Sequence, residues 1–101
     1  MRLNDFEISA IISNAKSIFS NEVAVYLFGS RTNDNLKGGD IDLLIIPDEH
    51  SDKDKLFDQK IDFLVSLKDR IGDQKIDVLI KYPNDSRAIV ETAISKGIRL
   101  C

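Results

Sequence analysis

A lone cysteine, Cys101, excludes an intrachain disulfide and any cysteine metal cluster. The lone histidine, His50, sits in a polar stretch and reads as an exposed loop residue. No apolar run approaches the roughly 20 residues that a bilayer span needs. The N-terminus also lacks the apolar core of a secretory signal, so a cytoplasmic location is expected. With a net charge of −3 there is no basic stripe of the kind a duplex nucleic-acid binder carries. A nucleotide is not excluded on that ground, because a metal site brings its own positive charge. Neither G-x-x-x-x-G-K-[ST] nor G-x-G-x-x-G occurs, so neither a P-loop nor a dinucleotide fold is supported. Internal repeats, linkers and low-complexity segments are absent as well. What remains, 43% apolar and 31% charged residues, is the composition of an ordinary globular protein. The length allows one domain, residues 1–101, and no more.

The chain alternates helical and extended patterns. Ile8, Ile11, Ile12, Ala15, Ile18 and Phe19 recur at helical spacing over Asn4 to Phe19, and Asn4 with Glu7 resembles a capping box. Val23 to Phe28 is an unbroken apolar run, as expected for a strand covered on both faces. A polar connection, Gly29 to Gly39, leads to a second strand, Asp40 to Ile46. Its start can open a short helix whose N-terminus faces a phosphate. Lys53 to Ile71 is the longest helix, capped by Ser51 or Asp52, with Phe57, Ile61, Leu64, Leu67 and Ile71 as its core stripe and Gly72 at its end. A third strand spans Lys75 to Tyr82. A last helix, capped by Asn84, Asp85 or Ser86, runs to about Lys96, and Ile98 to Leu100 can add an edge strand. The class is α/β or α+β, a small sheet of three to four strands with helices packed on it.

The chemistry lies in Leu27-Phe28-Gly29-Ser30-Arg31 and in Gly38-Gly39-Asp40-Ile41-Asp42. Strand residues i and i+2 share a face and stand roughly 6.5 Å apart. Asp40 and Asp42 therefore aim two carboxylates at one point, the hard oxygen ligands with which Mg²⁺ is held in phosphoryl-transfer sites. The Gly29-Ser30 turn lets backbone N–H groups approach a phosphate and offers a hydroxyl to it. Asp77 lies among apolar strand residues, where a lone carboxylate is costly unless paired, metal-bound or at an exposed edge. If the second and third strands are neighbours, Asp77 joins the pair, completes a metal site and stands near enough to act as general base. Each feature alone has a bland account: turn chemistry for Gly29-Ser30, edge solvation for Asp77, surface solvation for Arg31. Lys75, Lys81 and Tyr82 can flank a nucleotide, and strand-end solvation explains them equally well.

The forms LFGSR, GGDIDLLI and KIDVLI, in this order from about Val23 to Ile80, resemble the nucleotidyltransferase superfamily related to DNA polymerase β. They look most like its minimal branch, which includes antitoxins of the MNT type paired with HEPN-domain toxins. The resemblance implies the minimal nucleotidyltransferase fold. It assigns Gly29 and Ser30 to the nucleotide phosphates, Asp40, Asp42 and Asp77 to Mg²⁺, and Arg31 to a phosphate or the acceptor. It also implies transfer of AMP from ATP to a tyrosine hydroxyl of the partner toxin. Gly39 departs from the serine that many relatives carry before the first aspartate, a change that leaves the metal ligands intact.

The predicted elements use up the chain, so the acceptor surface is expected from another protein or another copy. Two other readings compete. One is an antitoxin that neutralises its toxin by binding alone; the other is a catalytic subunit paired with a separate acceptor-binding protein, in a homo- or hetero-oligomer.

Overall fold

The computed structural model describes residues 3–29, 40–72 and 74–101. The first helix, α1 (Asp5–Ile18), starts where a short polar side chain can replace its missing hydrogen-bond partners. Asn4 Oδ1 accepts from the Glu7 N–H at 2.7 Å, and the Asn4 N–H donates to Glu7 Oε1 at 3.0 Å. This is the expected capping box. The second helix, α2 (Lys53–Ile71), is capped by Asp52, which accepts from the Asp54 N–H, and closes at Gly72. Gly72 takes φ +92°, ψ −173°, backbone that essentially only glycine tolerates.

Strands β1 (Ala24–Phe28), β2 (Ile41–Ile46), β3 (Ile76–Ile80) and β4 (Ile98–Arg99) form one mixed sheet in the order β3-β2-β1-β4. β1 runs antiparallel to β2 and to β4, whereas β2 and β3 are parallel. Such a parallel pair needs a crossover, and α2 supplies it. Alternation along the strands then sorts the side chains. Val25, Leu27, Ile41, Leu43, Ile45 and Val78 face α1 and α2 in the larger core. Leu44 faces the last helix, α3 (Ala88–Lys96), and meets Val90 and Ala93 there, with Tyr26, Phe28 and Leu79 packed around them. The predicted small sheet with helices on it, including the short C-terminal edge strand, is what forms.

Helix phase departs from the sequence expectation twice. α2 buries Leu56, Phe63 and Leu67, while the expected core residues Phe57 and Ile61 are 61% and 44% exposed. The helix carries apolar residues around most of its circumference, so periodicity alone does not choose the buried stripe. Packing does, through Phe63, whose ring lies 6.0 Å from that of Phe19. In α1 the stripe turns to include two polar residues, Glu7 and Asn14, leaving Ile8 and Ile12 half-buried. Both have partners: Gln74 Nε2 donates to Glu7 at 2.7 Å, and Ser66 Oγ donates to Asn14 Oδ1 at 3.2 Å. Phe63→Ala should therefore cost about 3–5 kcal/mol in denaturant unfolding, against less than about 0.5 kcal/mol for Phe57→Ser.

The start of α3 is the third correction. None of Asn84, Asp85 and Ser86 caps it; Arg87 occupies the N-cap with no side-chain bond to the helix. Asp85 instead closes the preceding turn, accepting from the Tyr82 and Arg87 N–H groups. The Arg87 guanidinium bridges Asp85 Oδ2 at 2.7 Å and the Ile80 carbonyl at 2.8 Å, fastening α3 to the end of β3. That guanidinium holds the Asp85 carboxyl well below the usual carboxylate range.

Candidate active site

Asp42 and Asp77 are direct partners in the parallel β2–β3 register, and both point to the α3 side of the sheet. Asp40 enters the same face one alternation earlier, just before β2 begins. Each of the three offers a carboxylate oxygen, and these oxygens all lie within 4.8 Å of one another. Asp77 is exposed and the other two are half-buried, because α3 packs chiefly on β1 and β2, away from the edge strand β3 that carries Asp77. The condition set by the sequence, that β2 and β3 be neighbours, is met, and Asp77 stands on the edge strand that makes an unpaired carboxylate tolerable.

Burial raises the Asp42 carboxyl above its ordinary pKa, and the negative charges of Asp77 and Asp40 raise it further. A hydrogen bond shared with Asp77 acts in the same direction, and the Lys75 ammonium opposes it. Lys75 Nζ lies 3.3 Å from Asp40 Oδ2. Its backbone carbonyl accepts from the Ile41 N–H at 3.0 Å, which locks the start of β3 beside the start of β2. The sequence left Lys75 undecided between a nucleotide neighbour and strand-end solvation. Two-residue alternation back from Asp77 was the signal that places it on the carboxylate face.

Gly29 follows β1 directly, and Phe28 is the register partner of Asp42. A Cβ added at Gly29 would run into Asp42 Oδ2, and the residue takes φ +77°. Glycine is thus required twice here, by the backbone turn and by the carboxylate packed against it. Ser30 and Arg31, expected at the phosphates, lie outside the described residues, as do Gly38 and Gly39 and the short helix expected after Gly29. Lys81 and Tyr82 are not part of this cluster. They line a cavity of about 220 Å³ with Ile46 and Pro83, at the opposite end of β2 and β3. Five residue steps along a strand separate the two ends, roughly 16 Å.

Three hard oxygen donors gathered at mutual repulsion fit a hard divalent cation, the chemistry of Mg²⁺ rather than of a softer metal. Comparison with known families agrees with that donor set. The family model described as polymerase beta, nucleotidyltransferase matches residues 7–101. The chain belongs to this nucleotidyltransferase family. Transfer of a nucleotidyl group is accordingly the general chemistry of the domain, and domains of this family typically use a divalent metal and a nucleotide. Among curated proteins none matches the chain. The acidic cluster of this nucleotidyltransferase opens on solvent through Asp77. Among the described residues no helix is long and apolar enough to cross a membrane.

Proposed function

We propose that this nucleotidyltransferase moves AMP from ATP to a tyrosine hydroxyl of a protein partner, and that it serves as the MNT-type antitoxin of a HEPN-type toxin. The observation that carries the catalytic part is the convergence of Asp40, Asp42 and Asp77 beside Gly29. The protein acceptor is supported by the openness of the cluster: Asp77 is exposed at the sheet edge, so a bulky second substrate has access from solvent.

Asp40, Asp42 and Asp77 would hold Mg²⁺, which when bound neutralises charge developing on the phosphoryl oxygens. Ser30 and the backbone after Gly29 would serve the β- and γ-phosphates, and Arg31 a phosphate or the acceptor, as the family resemblance implies. The tyrosine oxygen attacks the α-phosphorus in line and forms the new P–O bond. The bond from that phosphorus to the bridging oxygen breaks, and pyrophosphate leaves with the electron pair. Asp77, the most exposed of the three carboxylates, takes the tyrosine proton as general base.

The test is to incubate the protein with ATP, Mg²⁺ and the product of the adjacent gene, then weigh that product. A mass gain of one AMP, absent with Asp42→Ala, is the expected result. Neutralisation of the partner without a mass change would support inhibition by binding alone. AMP transferred to a third molecule, only in a stable complex with the partner, would support a catalytic subunit lending its site to an acceptor-binding protein.

A further inference from the structure

The acidic cluster contains one positive charge that the roles above leave without a task. Among the described residues Lys75 is the one cation in ion-pair contact with any of the three carboxylates, and the contact is with Asp40. Its side chain is nevertheless 72% exposed, and its partner Asp40 is 37% exposed, so the contact is poised in water rather than buried. Lysine is a compact charge on a flexible four-carbon stem, suited to changing partners, and it binds phosphate as a point charge. Three carboxylates and one ammonium leave two negative charges uncompensated, the charge of a single divalent cation. Removing the ammonium from Asp40 would free one carboxylate oxygen for metal binding.

We infer that Lys75 is a mobile counter-ion of the site: it neutralises Asp40 in the metal-free protein and moves to the nucleotide phosphates when Asp40 becomes a ligand. This rests on the reading of Asp40, Asp42 and Asp77 as a metal site. Lys75 then touches substrate, so it is a binding residue for the triphosphate and competes with the metal when no nucleotide is present. A structural lysine would do neither. The two roles act in opposite directions, and that opposition is what an experiment can read.

The experiment is a titration of the full chain with Mn²⁺ alone, followed by paramagnetic resonance, for wild type, Lys75→Met and Lys75→Arg. A second titration with α,β-methylene ATP is made at saturating Mn²⁺. Loss of one exposed charge pair should make Lys75→Met bind Mn²⁺ alone roughly fivefold tighter. The same variant should bind the nucleotide analogue roughly tenfold more weakly, since it lacks a phosphate contact. Lys75→Arg, which keeps the charge, should stay near wild type in both. If wild type binds Mn²⁺ and Lys75→Met matches it, or shifts both affinities in one direction, the Lys75 assignment is wrong and the metal site stands. If wild type binds no Mn²⁺, the metal-site reading falls and takes this assignment with it.

Discussion

Asp42→Asn is expected to lower nucleotidyl transfer by at least about a thousandfold while making the metal-free protein more stable. Asp42 is the centre of the cluster, in register with Asp77 on one strand and Phe28 on the other. Like charges directly opposite on neighbouring strands destabilise a sheet, and a neutral amide of the same shape removes that repulsion. A gain of roughly 0.5–1 kcal/mol, a few degrees in melting temperature, is expected for the variant without metal.

The pH dependence has a definite sign. The Asp42 carboxyl is raised in the folded state by burial and by Asp77 and Asp40, so the folded protein holds this proton more tightly than the unfolded chain. Its contribution is present at acid pH, below about 4 where unfolded carboxylates titrate, and is lost as pH rises through the raised folded value. Metal-free wild type should therefore lose stability relative to Asp42→Asn over that window. Added Mg²⁺ should raise the wild-type melting temperature at neutral pH, since ligand bound only by the native state stabilises it. The variant should respond far less. Parallel melting curves and turnover assays read all four effects, and equal stability at neutral pH in the two proteins would contradict the repulsion.

Gly29→Ala should cost both stability and activity, and Gly72→Ala isolates the reason. Both glycines have positive φ, +77° and +92°, so alanine strains the backbone at either place. The penalty is about 1–3 kcal/mol for a residue forced into such a region. The surroundings differ. A Cβ at Gly72 meets nothing within 4 Å, whereas at Gly29 it would meet the Asp42 carboxylate. Gly72→Ala should therefore melt lower yet turn over normally per folded molecule. Gly29→Ala should also lose roughly a hundredfold in turnover, because Asp42 must move from the point shared with Asp40 and Asp77. Equal turnover in the two variants would show that the position of Asp42 does not matter to the chemistry.

Much of this architecture can be read from the amino acids because local signals agree with the global fold. Asn4 with Glu7, Asp52 and Gly72 mark helix ends by side-chain chemistry that acts within a few residues, and each acts as expected. Asp40, Asp42 and Asp77 are legible because strand alternation fixes their face once two strands are adjacent. The order of the strands is not a local property, and the spacing left it as a condition. The buried stripe of α2 was not legible for the same reason. Phe57 and Phe63 are equally apolar, and contact with Phe19 decides which is covered. At α3 three good capping residues precede the helix, but Asp85 is drawn into the pairing with Arg87, an arginine with no capping signature. The Gly29 contact with Asp42 was hidden because a glycine's reason lies in what occupies the space beside it.

The most direct measurement is anomalous diffraction from crystals of the protein soaked with Mn²⁺ and α,β-methylene ATP. The account predicts a peak among Asp40, Asp42 and Asp77 at the short oxygen distances of a hard divalent ion, about 2.0–2.2 Å, with the triphosphate completing its shell. A peak elsewhere, or nucleotide bound with no ion touching these carboxylates, would contradict it.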